Sequence, residues 1–94
     1  MTEPAATWTF FTNHAHVLVC LAAEPNMRLR DVAARVGITE RAVQGIVADL
    51  VEARILKRRR EGRRNIYAID KRKPLRHQIE KHCSIGEMLE FIVN

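Results

Sequence analysis

The sequence predicts a mainly α fold carrying a small β-hairpin, and three observations predict it. Two short segments with helical apolar spacing are joined by a turn at Gly37. The apolar period then changes from 3.6 residues to 2 across residues 55–70. That same region contains RRREGRRNIYAID, residues 58–70, which puts five arginines into seven positions and then turns apolar. A chain of 94 residues with 47% hydrophobic side chains is one domain with one core, too apolar for a disordered chain.

Taken in order, NHAHVLVCLAAEP reads as a helix over about 13–24, with Val17, Leu18 and Leu21 inward. Thr12 or Asn13 is placed to cap it, and Pro25 lies just beyond its end. Residues 1–6 read as a loose stretch, and Met27–Leu29 as extended at most. RDVAARVG forms a second helix, with Asp31 suiting the positive end of its dipole and Val32, Ala33 and Val36 inward. Gly37 ends it in a conformation that needs positive φ. Thr39 caps a third helix, ERAVQGIVADLVEA, whose inner stripe is Val43, Ile46, Val47 and Leu50.

ILKRRR and NIYAID then read as two strands joined across residues 61–64, with Gly62 supplying the turn. Pro74 starts a predicted helix through LRHQIEKHC. S-I-G-E, with Ser84 and Glu87, is a capping box that begins a separate last helix over about 85–93. The expected order is helix, helix, helix, hairpin, helix, helix.

Charge narrows the partner. The net charge is +5 and the sequence pI is about 9.9. The basic excess is clustered, which points to a polyanion. No apolar run approaches the roughly 18 residues that span a bilayer, and the N-terminus lacks the pattern of a signal peptide. A cytoplasmic chain with no membrane partner is expected. Cys20 and Cys83 stand far apart in apolar-leaning contexts and read as buried thiols. His14 reads as a half-buried helix residue and His77 as a surface one. The histidines have no i, i+4 pair and there is no C-x-x-C, so neither metal nor cofactor is expected. Nothing forms a nucleophile with a placed base, so the chain is not expected to be an enzyme.

Two short helices around a glycine turn meet the physical demands of a helix-turn-helix. A small residue stands at the crossing (Ala33), a glycine in the turn (Gly37), and apolar residues at fixed offsets in Val32, Val36, Ile38, Val43 and Ile46. LRDVAARVGITERAVQGIVADLVEARIL followed by RRREGRRNIYAI resembles a winged helix-turn-helix transcriptional regulator of the MarR/ArsR-like type. The resemblance runs from about residue 12 to 70, and the arginine-rich hairpin is its wing. It departs from the pattern at Arg54, where such proteins usually carry glycine after the helix.

The resemblance implies a single domain over 1–94, with the helix-turn-helix at about 29–53, the wing at about 55–70 and a C-terminal dimerisation segment at about 74–93. It implies that Thr39, Glu40, Arg41, Gln44 and Gly45 meet base edges in double-stranded DNA, with Ala48 further along. Arg41 has the chemistry for guanine and Gln44 for adenine. Arg60, Arg63 and Arg64 are expected at phosphates, with Arg28 and Arg30 beside them. Arg58 or Arg59 is expected to pair with Asp49 or Glu52. A homodimer on an inverted repeat is expected, joined through Ile85, Met88, Leu89 and Ile92, widened by Phe91 and Val93, with Trp8, Phe10 and Phe11 adding to that surface. The alternative is a winged-helix module for protein assembly or nonspecific nucleic-acid packaging. No small-molecule effector can be named from the residues.

Overall fold

The computed structural model describes residues 7–93, so the N-terminal stretch expected to be loose lies outside the described residues. Its elements run α1 (Asn13–Ala23), α2 (Leu29–Val36), α3 (Glu40–Glu52), β1 (Leu56–Glu61), β2 (Arg64–Ile69) and α4 (Ile85–Val93). The mainly α fold with one antiparallel hairpin is the architecture the sequence predicts.

Local chemistry sets the helix ends. Thr12 caps α1, its hydroxyl accepting from the Ala15 amide at 3.5 Å. Thr39 caps α3 at 3.0 Å from the Ala42 amide. The α2 helix stops at Gly37, whose φ of 86° costs a residue without a Cβ little. The Ala33 carbonyl accepts the Gly37 and Ile38 amides there.

The end of α3 is a Schellman turn: the Arg54 amide donates to Val51 O and the Ile55 amide to Leu50 O, both at 3.0 Å. Arg54 stands at φ 60°, in the left-handed region. The usual glycine is therefore replaced by arginine without any change of backbone geometry. The strain is accepted because Leu50 and Ile55, the apolar pair that closes such a turn, are both buried.

One core joins every element. Val17, Leu18 and Leu21 of α1 meet Val32 and Ala33 of α2 and Val43, Ile46, Val47 and Leu50 of α3. Leu56 and Tyr67 close the base of the hairpin against the same cluster, and Ile85 and Leu89 of α4 complete it.

The helix predicted from Pro74 through Cys83 is absent. Residues 71–84 form a turn-rich loop whose ends are tied together instead. The Leu75 amide donates to Cys83 O at 2.9 Å, Ile85 to Lys73 O at 2.8 Å and Gly86 to Lys71 O at 3.0 Å. A ten-residue helix would hold those ends about 15 Å apart. Its apolar stripe was also thin: Leu75 packs on the core, but Ile79 is 79% exposed. Gly86 is needed for this closure, because a Cβ there would lie 2.9 Å from Lys71 Cβ. The capping box stands as expected, Ser84 and Glu87 exchanging hydrogen bonds of 2.9 and 3.1 Å.

Candidate nucleic-acid interface

The buried stripe of α3 leaves its opposite face to solvent. Glu40, Arg41, Gln44, Gly45 and Ala48 are all exposed there, with Thr39 at the cap. Neither Arg41 nor Gln44 has a hydrogen-bond partner among the described residues. Gly45 has open space where a Cβ would stand, so no contact within the chain requires glycine there.

The wing departs from the core beside this face. Its register pairs Leu56 with Ile69, Arg58 with Tyr67, Arg60 with Asn65 and Glu61 with Arg64. The two-residue turn is Gly62-Arg63, with positive φ at Gly62 alone, the pattern of a type II′ hairpin. Two backbone bonds fix its root: the Tyr67 amide donates to Pro25 O at 2.9 Å and the Asp70 amide to Ile55 O at 2.8 Å.

Between the wing and the start of α2 lies a cleft of about 300 Å³ lined by Arg28, Leu29, Arg63, Arg64 and Tyr67. Arg64 donates to the Asn26 carbonyl at 3.2 Å, which holds its guanidinium beside the α2 N-terminus. Among the described residues no side chain caps α2, so the amides of its first turn add to the positive potential of the arginines. The Tyr67 hydroxyl, buried on this side of the wing, has no hydrogen-bond partner among the described residues. Arg30 is exposed in the first turn of α2. Arg60 bends back to the Gly62 carbonyl at 3.4 Å, keeping its charge at the wing tip.

The expected pairing of Arg58 or Arg59 with Asp49 or Glu52 does not occur. Arg59 pairs along its own strand with Glu61 at 3.2 Å, because alternate residues share a strand face. Asp49 instead accepts from His14 at 2.8 Å, a pair that ties α1 to α3. His14, read as half-buried, is exposed.

The residues expected to dimerise divide into two groups. Ile85 and Leu89, at 3% and 2% exposure, are committed to the chain's own core, and Met88 packs partly against it. The open apolar surface is formed by Phe91 (90% exposed), Ile92 and Val93, with Phe11 lining one cleft with Ile92 and Val93, and Trp8 and Phe10 also exposed. Trp8 and Phe10 meet edge to face, their centroids 5.1 Å apart.

Cys20 is buried and burial pushes its thiol pKa up, while Cys83 is only half-buried; both are free. Among the described residues no three histidine, cysteine or acidic side chains are placed to hold a metal ion. None of the described helices is long and apolar enough to cross a membrane.

A helix-turn-helix with its wing, and a solvated face on the second helix, is thus in place. The chain is a winged helix-turn-helix protein. It is similar to the PcaV transcriptional regulator from Streptomyces coelicolor, whose crystal structure was solved in complex with its natural ligand. The two are 29% identical with a TM-score of 0.55, and the match covers 63% of this chain and 44% of that one. The chain thus spans less than half the length of that regulator. No protein-family model matches the chain, and no curated protein is significantly similar to it in sequence.

Proposed function

We propose that the chain is a sequence-specific double-stranded DNA-binding transcriptional regulator, acting through α3 and the wing. The observation that carries this reading is the solvated face of α3, with Arg41 and Gln44 unpaired, beside a hairpin that bears six basic side chains against one acid. Arg41 offers two donors to guanine O6 and N7, and Gln44 a donor and an acceptor to adenine. Arg60, Arg63 and Arg64, with Arg28 and Arg30 at the start of α2, hold phosphates and set the register. The similarity to a transcriptional regulator supports the same reading.

The functional unit in this proposal is a homodimer joined through Phe91, Ile92 and the N-terminal aromatics. Its two copies of α3 would enter successive major grooves about 34–36 Å apart, on an inverted repeat. Selection of bound duplexes from a random pool at about 150 mM salt tests this, with wild type and Arg41→Ala compared. A palindrome that loses one symmetric base preference in the variant is expected. Recovery of unselected sequence with steep salt dependence would move the protein to nonspecific packaging.

A further inference from the structure

Between the root of the wing and the start of α2, hydrogen-bond donors and acceptors do not balance. Three carbonyls of the segment leading into α2 are already taken. Pro25 O accepts from the Tyr67 amide at 2.9 Å, Asn26 O from Arg64 at 3.2 Å, and Arg28 O from the Asp31 and Val32 amides at 2.9 and 3.0 Å. The donors are left over. The Leu29 and Arg30 amides, which open α2, donate to no backbone carbonyl among the described residues. The Arg28 and Arg63 guanidiniums have no hydrogen-bond or ion-pair partner there either. Arg64 gives one N–H to Asn26 and keeps the others of its fork.

Tyr67 points to what completes the set. Its side chain is 3% exposed and lines the cleft between wing and α2. Among the described residues its hydroxyl is the one buried side-chain polar atom without a partner. An unpaired buried O–H costs stability that phenylalanine at the same place would not. With those carbonyls occupied and no carboxylate lining the cleft, the acceptor comes from outside the chain. Asp31, the acid of the first turn of α2, is not part of the lining.

We propose that this cleft is a seat for one phosphate group, with Tyr67 as its neutral donor. The Tyr67 hydroxyl and the Leu29 and Arg30 amides give its oxygens directed bonds, and Arg28, Arg63 and Arg64 neutralise its charge. A volume of about 300 Å³, at the small end of the range for ligand sites, suits a single tetrahedral anion. A duplex backbone and a free phosphomonoester present the same oxygens. The backbone as source rests on the function proposed above; the seat itself does not.

Titration of the isotope-labelled full chain with sodium phosphate, replacing sodium chloride at constant ionic strength, tests the seat by NMR. Saturable shifts are expected at the Leu29 and Arg30 amides. Binding should be about tenfold weaker in Tyr67→Phe, the loss of one hydrogen bond to a charged group. Arg28→Gln should weaken it too, while Lys81→Gln, an equal loss of charge outside the cleft, should not. In phosphate-free buffer Tyr67→Phe should melt no lower than wild type, because no group loses a partner. A lower melting temperature would place the hydroxyl in a bond of the fold itself and overturn the assignment. So would the absence of saturable binding, or equal binding by Tyr67→Phe.

Duplex DNA then separates the two sources. If the backbone supplies the phosphate, Tyr67→Phe weakens every duplex alike by about tenfold. It leaves the slope of log affinity against log salt unchanged, because it removes no charge. Unchanged DNA affinity beside weakened phosphate binding would assign the seat to a free phosphomonoester. Phosphate binding without any DNA binding would remove the proposed function and keep the seat, and DNA binding without phosphate binding would do the reverse.

Discussion

The wing and helix α3 lie side by side, yet their charges differ in sign. Between Leu56 and Ile69 stand six basic side chains and one acid, while the rest of the chain has ten of each. The wing therefore carries the whole net charge of +5. Helix α3 has Glu40, Asp49 and Glu52 against Arg41 alone. In the proposed complex, attraction and choice are thus carried by separate elements. Attraction is Coulombic and tolerant of direction, so long arginines on a hairpin suffice. Choice requires paired hydrogen bonds of fixed geometry, and only a side chain mounted on a packed helix holds that geometry.

The largest effect is expected from removing the wing's share. Replacing Arg60, Arg63 and Arg64 together by alanine should lower the slope of log affinity against log salt by about 2.7, at 0.9 for each phosphate. Fluorescence anisotropy over a salt series would show all duplexes weakened alike. A loss confined to one sequence would break the separation. Arg41→Ala is the counterpart, expected to cost about 1–3 kcal/mol of discrimination at one base position. A ratio of matched to mismatched affinities that stays unchanged would mean that α3 reads no base there.

Two changes sharpen the comparison without touching charge on the exposed face of α3. Thr39→Ala removes the cap of α3 and should lower stability in urea by about 1 kcal/mol. Arg54→Gly relieves the left-handed strain at the corner between helix and wing, and should raise stability by about 1 kcal/mol. If the melting temperature falls instead, the Arg54 side chain makes a contribution that its backbone does not account for.

The smallest effect lies outside both regions. Hydrogen bonds from the Ser84 backbone, and then from its side chain, hold the Glu87 carboxyl below the ordinary glutamate range. A carboxyl with a depressed pKa in the folded state stabilises above its unfolded pKa and loses that contribution as pH falls through the folded value. Glu87→Gln should therefore lower stability slightly at neutral pH, leave it nearly unchanged once pH is below the folded pKa, and so flatten the acid limb of the stability curve. Thermal unfolding at a series of pH values reads this directly.

Much of the candidate interface was legible because its signals are local. Thr39 and Thr12 cap within three residues, Gly37 and Gly62 adopt the positive φ that their turns require, and the alternation of the wing reports its own pleat. The cleft beside the α2 N-terminus was legible only in part. Its arginines could be singled out from sequence, but Tyr67 looked merely apolar. Only the packed wing shows its hydroxyl buried without a partner among the described residues.

By itself the sequence determined the order and ends of α1, α2 and α3, the hairpin and the capping box of α4, since each rests on bonds spanning a few residues. Tertiary structure alone decided the rest. Residues 71–84 have an i, i+4 apolar spacing that suits a helix, but joining Lys71 to Gly86 and Lys73 to Ile85 demands ends that meet. Ile85 and Leu89 announce a buried face without saying what buries it, and α1 lay close enough to do so before any second chain could. Periodicity records that a face leaves water; which surface receives it depends on where the chain has already been placed.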